Sequence, residues 1–372
     1  MIQVRHVRYF DFLMLAAVLA LVAYGTLLIY SASLNAYPEG ISSLSHPVAK
    51  QAAYAIAGIV VMLLVARSDY KQFGEMAPAL YALGILMLVA VLLVGDSEFG
   101  SRRWINIGGT QIQPSEIAKL ITLVAMARFM ADRPQSMDRP ANFFKSLAIV
   151  VLPISLVLME PDMGSAVIFG VAWVAMMLIG GARPQHVFLF LSFLVLMIPF
   201  VTLALMSDYQ RERISIFFNP NSDPLGRGFN IIQGEISVGS GGWTGRGLTE
   251  GTQTQLDYLH TPTTDYIFSV LGEELGLVGA LVLFALFIIL LFRGLRVASL
   301  ARDRFGRLLA TGIVVMILFQ VFINIAVNIR LLPVTGVPLP FISQGGSSLI
   351  TLFMALGLLQ SILLRHKRIE FE

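Results

Sequence analysis

Apolar positions in this chain gather into long, nearly unbroken runs, not into the spaced stripes of amphipathic helices. Ten runs stand out: Phe10–Tyr30, Gln51–Ala66, Met76–Val94, Ser115–Met130, Phe144–Leu158, Met163–Ile179, Val187–Met206, Ile267–Phe292, Phe305–Val327 and Ser347–Leu364. A helix needs about 20 apolar residues to cross a hydrocarbon core of about 30 Å. Most runs reach that length; the second, fourth and fifth are shorter. None alternates with period two, so the pattern predicts helices and not barrel strands. The expectation is an all-α integral membrane protein with about ten transmembrane helices, one polytopic domain over residues 1–372 with no soluble appendage.

One polar stretch breaks the pattern. Ser207–Thr264, between the seventh and eighth runs, is rich in Gly, Asn, Asp and Arg. Loops longer than about 12–15 residues are usually functional or disordered. Recurring apolar positions here (Phe229, Ile231, Ile232, Ile236, Val238) argue for order. Chemistry is therefore sought in this insert and in the polar residues facing it.

Composition supports the membrane reading. The hydrophobic fraction is 56%, the charged fraction 13%, more apolar surface than a soluble domain of 372 residues can hide. The net charge of +3 matters less than its distribution. With the N-terminus inside, the basic residues of the short loops (Arg67, Lys71, Arg128, Arg133, Arg139 and the Arg293–Arg307 cluster among them) fall on the cytoplasmic side, leaving nine of 26 for the outside. That bias predicts cytoplasmic termini and an external Ser207–Thr264 loop. Short basic clusters beside helices read as membrane anchors, not nucleic-acid patches. The basic lead MIQVRHVR precedes an apolar run too long for a signal-peptide core, so the first run is an uncleaved span. Cysteine is absent, which removes disulfides, thiol chemistry and thiolate metal sites.

Two motif readings fail. Asn219, Asn221 and Asp223 alternate as in a calcium loop, but Pro224 and Asn230 stand where that loop needs Gly and Glu. They read as turn formers around Pro220 and Pro224. GSGGWTGRG lacks the flanking strand and helix of a dinucleotide site and reads as a bend beside a bound ligand.

Ionisable residues within or beside spans are functional candidates because each costs about 2.5–3.5 kcal/mol at a helix centre. Glu116 and Lys119 share a helix face at i, i+3; the competing reading is a self-neutralising pair. Asp162 precedes the sixth span, where a plain N-cap role competes. Asp265, Ser269 and Glu273 recur every fourth residue, with Thr263 or Thr264 as candidate cap. Asn324 and Asn328, at i, i+4, read as helix-packing residues. External arginines (Arg102, Arg103, Arg211, Arg213, Arg227, Arg246) favour a polyanionic ligand.

In this order, the segments SRRWINIG, QPSEIAK, EPDMGSA, YQRERI, NPNSDPLGRGFNIIQ, GSGGWTGRG, GTQTQLDYLHTPTTDYIFSVLGEELG and LPVTGVPLPFISQGGSS resemble the SEDS family of bacterial cell-wall polymerases, the RodA branch most closely. The resemblance spans essentially the whole chain, and GVPLPF is similar to the elongation branch. One departure is Gln344, where members commonly have Tyr. The resemblance implies a peptidoglycan glycosyltransferase of the bacterial cytoplasmic membrane, polymerising lipid II on the external face during cell elongation. It implies that Asp265 is the catalytic carboxylate, and that Glu116, Lys119 and Asp162 belong to a central polar cavity. Arg102, Arg211, Arg213, Arg246 and Gln344 complete the expected substrate contacts. It also implies a class B penicillin-binding protein as partner, with other elongation-complex proteins.

The chemistry suits these residues. A sugar hydroxyl is a weak nucleophile, so a positioned carboxylate that accepts its proton is useful. Departing pyrophosphate gathers negative charge, which external arginines or Lys119 would stabilise. A divalent cation, Mg²⁺ or Mn²⁺, held with the substrate pyrophosphate would serve the same end; no all-protein metal cage is visible. A lipid II flippase and a secondary transporter are the alternatives. Both leave Asp265 and the long external loop underemployed.

Overall fold

The computed structural model describes residues 9–36, 46–98, 101–107, 110–133, 137–204, 208–223 and 226–366. Among them, helices run in the order α1 (Phe12–Ser33), α2 (Pro47–Arg67), α3 (Tyr70–Glu75), α4 (Ala77–Val94), α5 (Pro114–Ala131), α6 (Pro140–Met159) and α7 (Met163–Ile179). They continue with α8 (Pro184–Ala204), α9 (Asp208–Phe218), α10 (Arg227–Ser240), α11 (Thr252–Gln255), α12 (Ile267–Leu300), α13 (Arg304–Asn328) and α14 (Gly346–Leu364). Ten of these coincide with the ten apolar runs, so the all-α membrane architecture holds. Seven (α1, α2, α4, α6, α12, α13, α14) are long and apolar enough to cross a membrane, while α7 and the described part of α8 are shorter apolar helices. The remaining one, α5, carries Glu116, Lys119 and Arg128 and is packed among α4, α6, α7, α13 and α14.

Burial separates centre from rim. In α13 and α14, 72% and 78% of the apolar window is buried, against 22% in α4. The outer helices turn side chains such as Leu93 and Phe188 outward, as lipid-facing surfaces do. Polar caps start several helices. Asp11 Oδ1 accepts from Met14 N (2.9 Å), and Asp303 Oδ1 from Gly306 N (2.8 Å), each satisfying an orphan N–H.

Helix direction alternates, so the bundle has two distinct ends. One carries the first residue of α1, the last turns of α12 and α14, and α3. The other carries the ends of α1 and α13, the starts of α2, α5, α7, α12 and α14, and the segment 208–265. A small antiparallel meander lies at this second end between α4 and α5: β1 (Asp96–Glu98), β2 (Ser101–Ile107) and β3 (Thr110–Ile112), with Ile105 opposite Ile112. The apolar pattern did not foresee this sheet.

The polar insert is ordered where described, but its recurring apolar residues belong to helix α10. Its glycine-rich segment differs from expectation more sharply. Gly276 interrupts α12 with φ 61° and ψ −158°, and residues 241–247 fill the break. Arg246 N and Gly247 N donate to the carbonyls of Glu273 (2.9 Å) and Glu274 (3.0 Å), while Leu277 N and Val278 N donate to Gly242 and Trp243 (3.0 Å each). A Cβ on Gly276 would lie 2.3 Å from Gly245 N, so only glycine fits. GSGGWTGRG is thus the complement of a broken helix, not a bend beside a ligand. The break satisfies its own backbone, as membrane-proximal irregular backbone must.

Candidate active site

Asp265 sits in the turn just before α12, not in the helix as the four-residue spacing implied. Tyr266 is the N-cap and makes no side-chain cap bond, so neither Thr263 nor Thr264 caps the helix. Their carbonyls instead accept from Gln344 N (2.9 Å) and Ser343 Oγ (2.7 Å). The Asp265 carbonyl accepts from Asn324 Nδ2 (3.2 Å) and Asn328 Nδ2 (2.8 Å). Asn328 Oδ1 in turn accepts from Ser269 N (3.0 Å) and Ser269 Oγ (2.7 Å), closing the open start of α12. The asparagine pair, read from sequence as packing, therefore anchors the Asp265 main chain.

With the main chain fixed, the carboxylate is left free. No hydrogen bond to the Asp265 carboxylate exists among the described residues, and the side chain faces a cavity of about 720 Å³. Arg103, Arg213, Gln113, Gln344 and Tyr54 line the same space. Burial raises the Asp265 pKa above the ordinary carboxylate value; Arg213 and Arg103 act against that shift and Asp162 adds to it. Both arginines are held by backbone carbonyls. Arg213 Nη1 donates to Val334 O (2.9 Å), Arg103 Nε to Glu160 O (3.0 Å) and Arg103 Nη2 to Pro161 O. At Gly336, where φ is +77°, a Cβ would lie 3.3 Å from Arg103 Nη1 and 4.0 Å from Asp265 Oδ2. That glycine leaves the space between cation and carboxylate open.

The other expected residues scatter. Glu116 and Lys119 form a buried pair at 2.8 Å within α5 and are not among the residues lining the cavity. Asp162 caps α7 by accepting from Ser165 N (3.1 Å), and its Oδ2 receives Gln113 Nε2 at 3.4 Å. It stands one residue behind the wall. Gln344 is on the wall. Arg211 and Arg246 are exposed and away from it; Arg246 Nη1 donates to Thr252 Oγ1 (3.1 Å). The side chains of Arg102 and Arg227 lie outside the described residues. Glu273 turns from the supposed stripe to the start of α11, where it accepts from Gln253 N (2.9 Å) and Thr254 N (3.3 Å).

A match to the family model described as "Cell cycle protein", covering FtsW, RodA and SpoVE, extends over residues 11–368. The chain belongs to the FtsW/RodA/SpoVE family. The peptidoglycan glycosyltransferase MrdB of Escherichia coli (strain K12) is 38% identical over 362 residues, 97% of this chain and 95% of that protein. A chain in a structure described as "Structural coordination of polymerization and crosslinking by a peptidoglycan synthase complex" superposes with a TM-score of 0.80 at 30% identity, covering 95% of this chain and 97% of that one. The crystal structure of Thermus thermophilus rod shape determining protein RodA gives 0.69 at 27% identity, covering 96% of each chain.

Within that family frame, Arg103 is the residue that sequence reasoning named among six external arginines but left out of the expected substrate contacts. Its distinguishing mark is burial: 7% exposed, on a strand that the helical pattern concealed. Gln113, directly before Pro114, was passed over because a helix-start glutamine reads as a neutral flank.

Proposed function

We propose that this family member is a peptidoglycan glycosyltransferase that adds lipid II units to a growing glycan chain at the Asp265 end of the bundle. The observation that carries this reading is the Asp265 carboxylate, free of hydrogen bonds in a cavity that also presents Arg103 and Arg213. Asp265 takes the proton of the acceptor 4-hydroxyl as its oxygen attacks the donor's anomeric carbon. A C–O bond forms on one face and the bond to the pyrophosphate oxygen breaks on the other, inverting the α-linked donor to a β-linked product. Polyprenyl pyrophosphate leaves with the electron pair, and the two arginines stabilise its charge in a site largely shielded from water. Both lipid tails stay in the bilayer, so a boundary site supplies proximity by anchoring both substrates.

Among the described residues, no group of three or more His, Asp or Glu gathers to hold a metal ion. A Mg²⁺ or Mn²⁺ carried on the substrate pyrophosphate needs only one or two protein carboxylates, and Asp265 offers one in the cavity. Such an ion would add charge neutralisation to that of the arginines.

Charge supports the orientation this reading expects: Arg67, Arg128, Arg139, Arg183 and Arg302 lie toward the end opposite Asp265, as basic residues do on a cytoplasmic face, with the termini expected on that side. A class B penicillin-binding protein is the partner this reading expects, supported by the synthase complex among the solved relatives, with other elongation-complex proteins.

Purified protein given labelled lipid II is expected to yield glycan polymer with release of undecaprenyl pyrophosphate. Translocation of lipid II across a vesicle without polymer would replace the polymerase by a flippase. Because cysteine is absent, single cysteines report orientation. An impermeant thiol reagent should label Ser222→Cys in intact cells and miss Ser299→Cys.

A further inference from the structure

Glu160 follows α6 in the turn that leads to Asp162. It is fully buried, and neither carboxyl oxygen has a hydrogen-bond partner. Buried polar groups are normally paired, and an orphaned charge would be expensive. Its main chain, by contrast, has a definite task. The carbonyls of Glu160 and Pro161 receive Nε and Nη2 of Arg103. Two neutral carbonyls thus hold two edges of the guanidinium, where most buried arginines are held by a carboxylate. Nη1 remains on the side of Gly336, Asp265 and the cavity.

We propose that Glu160 is a positioning residue of this site: a carboxylic acid kept neutral behind Arg103, so that the guanidinium charge stays available to a pyrophosphate group in the cavity. The inference rests on the polymerase reading and assigns one of its residues a role. The charged groups acting on Glu160 are Asp162, at the start of α7, and Arg103, from β2. Burial and the Asp162 charge push Glu160 up to about 9, against the pull of Arg103. At neutral pH it is therefore protonated. Above that range it becomes a carboxylate beside Arg103, cancels much of its field and competes for the fork. The sign is fixed by the direction of the shift. The neutral form is the one the fold favours, so the fold's stability declines as pH rises from the ordinary value of 4.5 to about 9, whereas anion binding declines as Glu160 ionises through about 9.

The test uses the full-length protein in lipid nanodiscs and inorganic pyrophosphate as probe, with binding measured by calorimetry from about pH 7 to about pH 10. The parent is expected to lose about tenfold in affinity over that interval. Glu160→Gln, a neutral isostere, is expected to keep the neutral-pH affinity and lose most of the pH dependence. Ionisation of the probe itself is common to both proteins and cancels in the comparison. An equal decline in both would overturn the proposal, as would a Glu160→Gln protein that binds no pyrophosphate while retaining its fold. A second readout does not depend on binding. The infrared carbonyl band of a protonated carboxylic acid should be present in the parent at neutral pH, reduced by one group in Glu160→Gln and retained in full in Asp162→Asn. Its absence from the parent would also overturn the proposal. Failure of the parent to polymerise lipid II would sink the function proposed above while leaving both of these measurements to decide the role of Glu160.

Discussion

The two ends of the bundle handle charge in opposite ways. At the end with the termini, charges are cancelled locally. Asp11 pairs with Arg293 at 2.7 Å, and Asp303 receives the Tyr70 hydroxyl and lies 3.7 Å from Lys71. Arg365 Nε lies 3.8 Å from Asp69 Oδ2, while its Nη2 donates to Arg67 O (2.7 Å), tying α14 to α2. At the other end, Arg103 and Arg213 are held by neutral carbonyls, Asp265 has its main chain fixed and its carboxylate free, and Glu160 has no partner. The first arrangement spends charge on holding helices together. The second, apart from the exposed Arg330–Glu235 pair at 2.9 Å, leaves the Asp265 carboxylate facing the cavity. In the first turns of α5, toward the Asp265 end, lies Glu116–Lys119, a buried pair with the chemistry of a site and the geometry of a brace.

If that contrast is right, neutralising charge at one end costs activity and at the other costs stability. Asp265→Asn should give the largest effect, a fall of about 10²–10⁴-fold in polymerisation. Its melting temperature at neutral pH should equal or exceed the parent's, because burial raises the Asp265 pKa and the ionised form is the one the fold disfavours. A protein that loses both activity and stability would break the comparison. Next comes Lys119→Met, which strands Glu116 and should cost about 3–5 kcal/mol in denaturant unfolding. Replacing both members by apolar residues should restore stability. If that double variant also polymerises at the parental rate, the pair is only a brace.

Arg213→Gln is expected to act more subtly. Arg213 opposes the upward shift at Asp265, so its loss raises that pKa further. A base works only when ionised, and activity disappears as pH falls through its pKa. The acid limb of the rate profile should therefore move to higher pH, and an unmoved limb would separate Arg213 from Asp265. The smallest effect belongs to Lys71→Ala. Its pair with Asp303 is long and half exposed, so unfolding free energy should change by no more than about 1 kcal/mol, with polymerisation unaltered.

The spans were legible because a bilayer allows few solutions: ten long apolar runs became ten helices. Three residues of the cavity wall were legible for a different reason, since Asp265, Arg213 and Gln344 lie in segments that match a family pattern. What stayed hidden depends on contacts distant in sequence. Gly276 lies in VLGEELGLVG, which reads as continuous helix, and only the arrival of residues 241–247 turns it into a break. Arg103 was indistinguishable from Arg102 until β2 buried it. Asn324 and Asn328 have the spacing of helix-packing residues, and nothing local to them names the Asp265 carbonyl as their partner. Glu160 sits in EPD, where an acid two residues before a helix-capping aspartate looks unremarkable in sequence; burial without a partner is visible only in three dimensions.

The anchoring of Asp265 also has a consequence for synthesis of the chain itself. Apart from the turn's own short bonds to the Thr261 carbonyl, the bonds that tie it to the rest of the protein among the described residues come from residues made later: Asn324 and Asn328 at the end of α13, and Ser343 and Gln344 just before α14. A nascent chain that has inserted α12 but not α13 therefore carries the Asp265 carboxylate on a turn without these anchors. The site closes only after the last span has left the ribosome and entered the bilayer. Truncated or stalled products that end before Asn324, even those embedded with most of their helices, are therefore expected to lack the fixed Asp265 turn.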